Sequence, residues 1–262
     1  MIRLLLTKFK NILLLLIMSA MVLSSANTAH GNDYFKYSVG EDYIKVSVET
    51  MATQQRQCEV VVRAGEYQGK AGKRIYVNNC TVHLPDDIPV RNDNDGRGFY
   101  VSEWDINVKE AKALVNKLQS MGVNAKLQVA TTKAEDLNAA GRIANKSNPY
   151  LYVSIHHNSY ESNSTGYFGM YNPKNEASKQ AAIRLSNAIQ NNGQVPKRDN
   201  RPNTGYIGEM NVINSTTTPV LLELGFFSNI EELEEICSDS YVNYVSTNLA
   251  KEIQKMLNEN YR

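Results

Sequence analysis

Two hydrophobic periods alternate along this chain, and their order predicts its architecture. Short apolar runs bounded by breakers occur at Cys58 to Arg63 (CEVVVR), Ala125 to Ala130, Leu151 to Ile155 and Pro219 to Phe227 (PVLLELGFF), with Gly166 to Tyr171 as a further candidate. They read as strands. Between them, apolar positions recur at helical spacing. Ile106, Ala113, Leu114, Leu118 and Met121 follow Ser102, a candidate N-cap with Asp105 three residues on, and the helix stops at Gly122. Leu137, Ala140, Ile143 and Ala144 mark a second helix, Ala181, Leu185, Ala188 and Ile189 a third, and Tyr241 to Leu257 a fourth. Strands that are apolar throughout, separated by amphipathic helices, belong to a sheet buried on both faces. The expected fold is therefore α/β with three layers: a mostly parallel, twisted sheet carrying helices on both faces.

Two stretches break the rhythm. From Tyr67 to Tyr100 there is little periodicity and much Asn, Asp, Gly and Pro, which marks a long irregular insertion. Before Cys58 the chain is organised differently. Arg3, Lys8 and Lys10 precede an apolar run from Ile12 to Leu23 that is short for a bilayer span, and Ser24-Ser25-Ala26 or Asn27-Thr28-Ala29 offers small residues for cleavage. Residues 1–29 are read as a secretory signal peptide, with an uncleaved anchor as the competing reading. Residues 30–56 form an N-terminal extension, polar and rich in tyrosine, in which Tyr43 to Val48 alternates as a strand does. Residues 57–262 are the expected main domain. No further apolar run of transmembrane length follows, so a secreted, extracytoplasmic protein without stable membrane insertion after signal cleavage is expected.

Charge and cysteine content narrow the function. The 28 basic and 27 acidic residues give a formal charge of +1, and loss of residues 1–29 removes three basic and no acidic residues, leaving −2. Nucleic acid is not an expected partner of such a chain. Three cysteines, Cys58, Cys80 and Cys237, are too few for a disulfide framework and lack zinc-ribbon spacing. One pair could close in an oxidising compartment, and the sequence leaves open which.

The candidate chemistry lies where apolar strands run into polar tips. Leu151-Tyr152-Val153-Ser154-Ile155 ends at His156-His157-Asn158, and in an α/β sheet the crevice beyond the carboxyl ends of the strands is where ligands bind. Glu66 follows the first strand, Glu103 opens the capped helix, and Glu223 lies inside the last strand. A carboxylate within PVLLELGFF is costly unless it is paired, hydrogen-bonded or linked to a metal. A structural ion pair would satisfy Glu223, just as a loop hydrogen bond would satisfy one of the histidines. Carboxylates and an imidazole converging with an open position are also what a catalytic zinc site uses, with a further carboxylate acting as general base.

Three blocks then resemble one family. SEWDINVKEAKAL (Ser102 to Leu114), RIANKSNPYLYVSIHHNS (Arg142 to Ser159) and TPVLLELGFFSN (Thr218 to Asn229) are similar, in this order, to signature blocks of the zinc-dependent N-acetylmuramoyl-L-alanine amidases of the type 3 catalytic domain. The resemblance covers roughly Cys58 to the C-terminus. It implies a Zn²⁺ cofactor, peptidoglycan as partner and substrate, and cleavage of the amide between the lactyl group of N-acetylmuramic acid and L-alanine. It further implies that Glu103 and His156 are metal ligands, that Glu223 is the catalytic glutamate, and that His157 is no ligand. The first block departs from the pattern. Where the family has Asp-x-Gly-His-Gly, this chain has Arg63-Ala64-Gly65-Glu66-Tyr67, so Glu66 stands in the place of a zinc-binding histidine and Arg63 in that of the aspartate. Glu66, Glu103 and His156 are the expected metal set, with His83 as the other histidine able to substitute. The alternative function is a catalytically impaired relative that binds peptidoglycan or regulates a partner enzyme. A monomer is expected.

Overall fold

The computed structural model describes residues 56–260 apart from 69–72, 79–80, 136, 191–194 and 206, together with two strands earlier in the chain. Those two, β1 (Lys36–Val39) and β2 (Ile44–Ser47), pair antiparallel in a unit separate from the rest. The proposed signal peptide and Cys80 lie outside the described residues.

In the second unit the chain runs β3 (Val60–Tyr67), β4 (Arg74–Tyr76), β5 (Arg91–Asn92), β6 (Phe99–Ser102), α1 (Glu103–Ser120), β7 (Ala125–Ala130), α2 (Leu137–Ser147) and β8 (Leu151–Asn158). It continues through β9 (Phe168–Tyr171), α3 (Glu176–Ala188), β10 (Arg201–Pro202), α4 (Gly208–Val212), β11 (Thr218–Phe226), α5 (Ile230–Cys237) and α6 (Asp239–Asn260). Six strands form the main sheet in the order β10-β9-β11-β8-β3-β7. Neighbours are parallel except at β9–β11, so only the β9–β10 edge runs against the others.

Helices cover both faces, as the apolar runs predict. Val60, Val62 and Ala64 of β3, Val153 and Ile155 of β8 and Val220, Leu222 and Leu224 of β11 point to the face packed by α1, α3 and α6, where the largest core lies. The alternate residues face α2 and α4. There Val61 and Tyr152 pack on Ala144, while Leu221, Phe168 and Met170 pack on Ile207 and Met210. That second face is incompletely covered towards the carboxyl ends of β8 and β11, and the opening becomes the site. Among the described residues no helix is long and apolar enough to cross a membrane.

Two local expectations differ from the structure, and one helix stands where none was expected. The irregular stretch 67–100 contains a small antiparallel sheet, β4-β6-β5, whose strands are too short to carry a period. Ser102 precedes α1 in extended conformation but its hydroxyl makes no capping bond, and the Asp105 carboxylate is instead taken by Arg91. The helix α5 is obscured in sequence by its own acidity: among Glu231, Glu232, Glu234 and Glu235 its apolar buried positions are Leu233, Ile236 and Cys237, and Glu232 is buried beside them.

Glu232 closes the end of β11. Gly225, at φ 150°, has no room for a side chain against Ile236 and follows a break in the β11–β8 register. The turned backbone brings the Phe226 N–H to the buried Glu232 carboxylate at 2.6 Å, and the Gly166 N–H donates to the same group at 3.0 Å. Replacing Glu232 by alanine leaves two buried donors unmet, so Glu232→Ala should cost about 3 kcal/mol in denaturant unfolding. Glu231→Ala, on the exposed side of the same turn, should fall within about 0.5 kcal/mol of wild type.

Candidate active site

The three central strands deliver the site. Parallel pairing places Glu223 of β11 directly beside His156 of β8, and Arg63 of β3 beside Ser154, so these side chains share the α4 face. His157, one residue on, points to the opposite face. Its Nδ1 lies 2.8 Å from Asn107 Oδ1 of α1, and burial pushes its pKa down to about 3.

Glu66 arrives by an irregularity rather than a turn. The sequence places Glu66 after the first strand, but β3 continues to Tyr67, with its register against β7 shifting between Ala64 and Tyr67. Glu66 occupies the bulge at φ 60°, a left-handed conformation that non-glycine residues adopt rarely and chiefly at functional positions. Gly65 serves by close approach instead of backbone freedom: a Cβ there would lie 2.3 Å from His156 Nε2.

Ligand atoms of Glu66, Glu103 and His156 all lie within 4.8 Å of one another, and all three residues are buried. Glu103, the first residue of α1, is held from several sides. Its Oε1 accepts from the His157 N–H and from Asn107 Nδ2, each at 3.1 Å, and lies 3.1 Å from His156 Nδ1. Burial alone would raise its pKa, but His156, Lys73 and Asn107 bring it down to about 2. The same contacts act on His156 in reverse. Burial opposes its charge, yet Glu103 and then Glu209 push its pKa up to about 10. Glu223 differs, because burial raises it to about 7 against the pull of His156.

Three participants escaped sequence reading. Glu209 of α4 is fully buried, 3.1 Å from Arg63 Nη1 and 3.8 Å from His156 Nε2, and Arg63 brings its pKa to about 2 despite burial. Lys73 Nζ lies 3.6 Å from Glu66 and 3.7 Å from Glu103, positioned by the Glu103 N–H donating to the Lys73 carbonyl. In sequence Arg63 stands out only as a departure from the family pattern. Its guanidinium also reaches 3.5 Å from His156 Nε2. By contrast His83 pairs with Glu234 at 3.2 Å and is exposed, away from the group. Cys58 and Cys237 are buried free thiols.

The donor set suits a divalent cation. Two carboxylates and an imidazole are zinc-ligand types. The Oε2 atoms of Glu103 and Glu223 are buried with no hydrogen-bond donor among the described residues, so each keeps lone pairs to offer, with Lys73 Nζ 3.7 Å from that of Glu103. Beside the group opens a cavity of about 470 Å³ that is lined by Glu66, His156 and Glu223 at one end and by Arg198 and Arg201 at the other, over a floor that includes Phe168.

Residues 91–255 match the family model described as N-acetylmuramoyl-L-alanine amidase. That segment holds Glu103, His156, Glu209 and Glu223, while Arg63 and Glu66 precede it. The germination-specific N-acetylmuramoyl-L-alanine amidase of Bacillus subtilis (strain 168) is 28% identical over 133 residues, covering 48% of this chain and 53% of that protein. The chain thus spans about half the length of this curated relative. An N-acetylmuramoyl-L-alanine amidase from Clostridium difficile 630 superposes with a TM-score of 0.57 at 21% identity, over 78% of this chain and 99% of that one. The catalytic domain of CwlV from Bacillus (Paenibacillus) polymyxa var. colistinus gives 0.58 at 21% identity, over 77% and 98%. The CwlD amidase from Clostridioides difficile, solved in complex with the GerS lipoprotein, gives 0.56 at 20% identity, over 78% and 100%. At these identities the superpositions show a shared fold.

A metal binding at His156 must displace its proton. Because the pKa is raised to about 10, the imidazole is protonated throughout the neutral range, and each pH unit below 10 reduces the free base tenfold. Apparent zinc affinity should therefore rise about tenfold per pH unit from pH 6 to 8, as read by competition with a chelating dye. An affinity flat across that range would contradict a protonated His156 acting as ligand.

Proposed function

The chain belongs to the N-acetylmuramoyl-L-alanine amidase family, and from that premise we propose that it hydrolyses the amide joining the lactyl group of N-acetylmuramic acid to L-alanine in peptidoglycan. Glu66, Glu103 and His156 would hold the metal, and Glu223 would move the proton. The observation that carries this reading is the Glu223 carboxylate, buried with no hydrogen-bond partner on Oε2 among the described residues, beside His156 in register and with a pKa raised to about 7. A zinc ion, when bound, supplies Lewis acidity and a water of lowered pKa.

This chain's residues do the rest. Near neutrality Glu223 is close to half-ionised, so it can accept a proton from the attacking water and return it to the departing L-alanine nitrogen. Glu209, 3.8 Å from His156 Nε2 on the side of the ring away from Glu103, helps to position the imidazole. Phe168, Met170 and Leu221 make one wall of the cavity apolar, which lowers the local dielectric around Glu223. A substrate in the wall fits a secreted protein, and a secretory signal over residues 1–29 forms part of the proposal.

One observation favours a second reading, a relative that binds wall without cutting it. Lys73 places an ammonium within 3.7 Å of both proposed ligand carboxylates, and Arg63 sets a second cation beside His156. Purified sacculi separate the two. The wild type should release new L-alanine amino termini, and Glu223→Gln, which keeps the shape but cannot shuttle the proton, should lower the rate by about 10² to 10⁴ while still binding zinc. Sacculi bound but uncut by the wild type would favour the second reading, and a fully active glutamine variant would remove Glu223 from its role.

A further inference from the structure

The far end of the cavity carries charge that the hydrolytic group does not use. Residues 196–203 run as an edge segment along β9: the Arg198 N–H donates to the Tyr167 carbonyl at 2.8 Å, the Asn203 N–H to the Tyr171 carbonyl at 2.8 Å, and the Gly169 N–H to Asn200 Oδ1 at 2.7 Å. Parallel pairing sets Arg201 beside Met170, which itself faces Leu221, so Arg201 lies on the sheet face that bears Glu223. Its guanidinium carbon is 4.6 Å from the centre of the Phe168 ring, and that of Arg198 is 5.1 Å from the centre of Phe226. Stacking over a ring face orients a guanidinium without consuming its five N–H donors. Among the described residues neither arginine forms an ion pair, in contrast to Arg63, Arg91, Arg97 and Arg184.

We infer that Arg198 and Arg201 recognise a free carboxylate on the peptide beyond the scissile amide, making the enzyme selective for acidic over amidated stem peptides. This rests on the amidase reading. The muramic lactyl carboxyl is itself locked in the amide, so the anionic groups near the reacting bond belong to the peptide. Arg201 lies two strands across and two residues along from Glu223, about 12 Å between backbones at ordinary strand spacing. Two residues of extended peptide span about 7 Å, and the arginine side chain covers the remaining distance. A planar guanidinium meets a carboxylate through two parallel bonds, whereas a carboxamide offers one acceptor and no charge.

Two muramoyl peptides provide the test, identical except that the carboxyl of the second residue is free in one and a carboxamide in the other. Wild type should favour the acid by roughly tenfold in kcat/KM, the size of one charge-assisted hydrogen bond. In Arg201→Gln and Arg198→Gln the KM for the acid should rise until that discrimination collapses. Arg201→Lys should retain part of it, since an ammonium keeps the charge but loses the fork. Equal use of both substrates by the wild type, or variants that lose both equally, would overturn the inference while the amidase reading stands. If neither peptide is cut, the amidase reading fails by itself, and calorimetric titration of the same two peptides decides. Tighter binding of the acid that is lost in Arg201→Gln supports the carboxylate site, and equal or absent binding overturns it.

Discussion

The imidazole of His156 is held between two carboxylates, Glu103 at Nδ1 and Glu209 at Nε2, in a place where water hardly reaches, and the rest of the site is arranged around that contact. A buried charge tolerates few arrangements. Gly65 must be small so that the ring can lie against β3. Asn107 and the His157 N–H must face Glu103 so that its carboxylate is satisfied at the start of α1. His157 must point away and stay neutral, which the alternation of the strand secures.

The departure that the resemblance implies in the first block, which precedes the matched residues 91–255, meets counter-charges in the structure. Arginine in place of aspartate reverses a charge at a position with no exposure, and such a reversal is tolerated only if a partner is buried with it. Glu209 is that partner at 3.1 Å, and its other oxygen lies 3.8 Å from His156 Nε2, so one residue neutralises Arg63 and sets a negative charge beside the imidazole. Glutamate where the family pattern has histidine adds a negative charge to the proposed metal set, and Lys73 stands against that carboxylate. Each substitution thus has a counter-charge in space, contributed by an element remote in sequence.

Remoteness also explains what could be read without coordinates. The sheet, its helices and the convergence of Glu66, Glu103, His156 and Glu223 were legible because each depends on local periodicity and on one rule, that parallel strands present their carboxyl ends on one edge. Glu209, Lys73, Arg198 and Arg201 were not. They sit in or beside the least periodic parts of the chain: the five-residue helix α4, the segment leading into β4, and the edge segment through β10. Their positions follow from tertiary pairing alone. The bulge at Glu66 was missed for a related reason, since the sequence marks the end of apolar character at Arg63 whereas the backbone continues to pair up to Tyr67.

The central claim is that Glu66, Glu103 and His156 hold one divalent metal ion. Elemental analysis of the purified full chain after zinc loading and removal of free metal tests it most directly. One zinc per chain is expected, lost in Glu66→Ala, Glu103→Ala and His156→Ala and retained in His157→Ala. Zinc kept at full stoichiometry by Glu66→Ala, or lost equally on changing His156 and His157, would contradict the assignment.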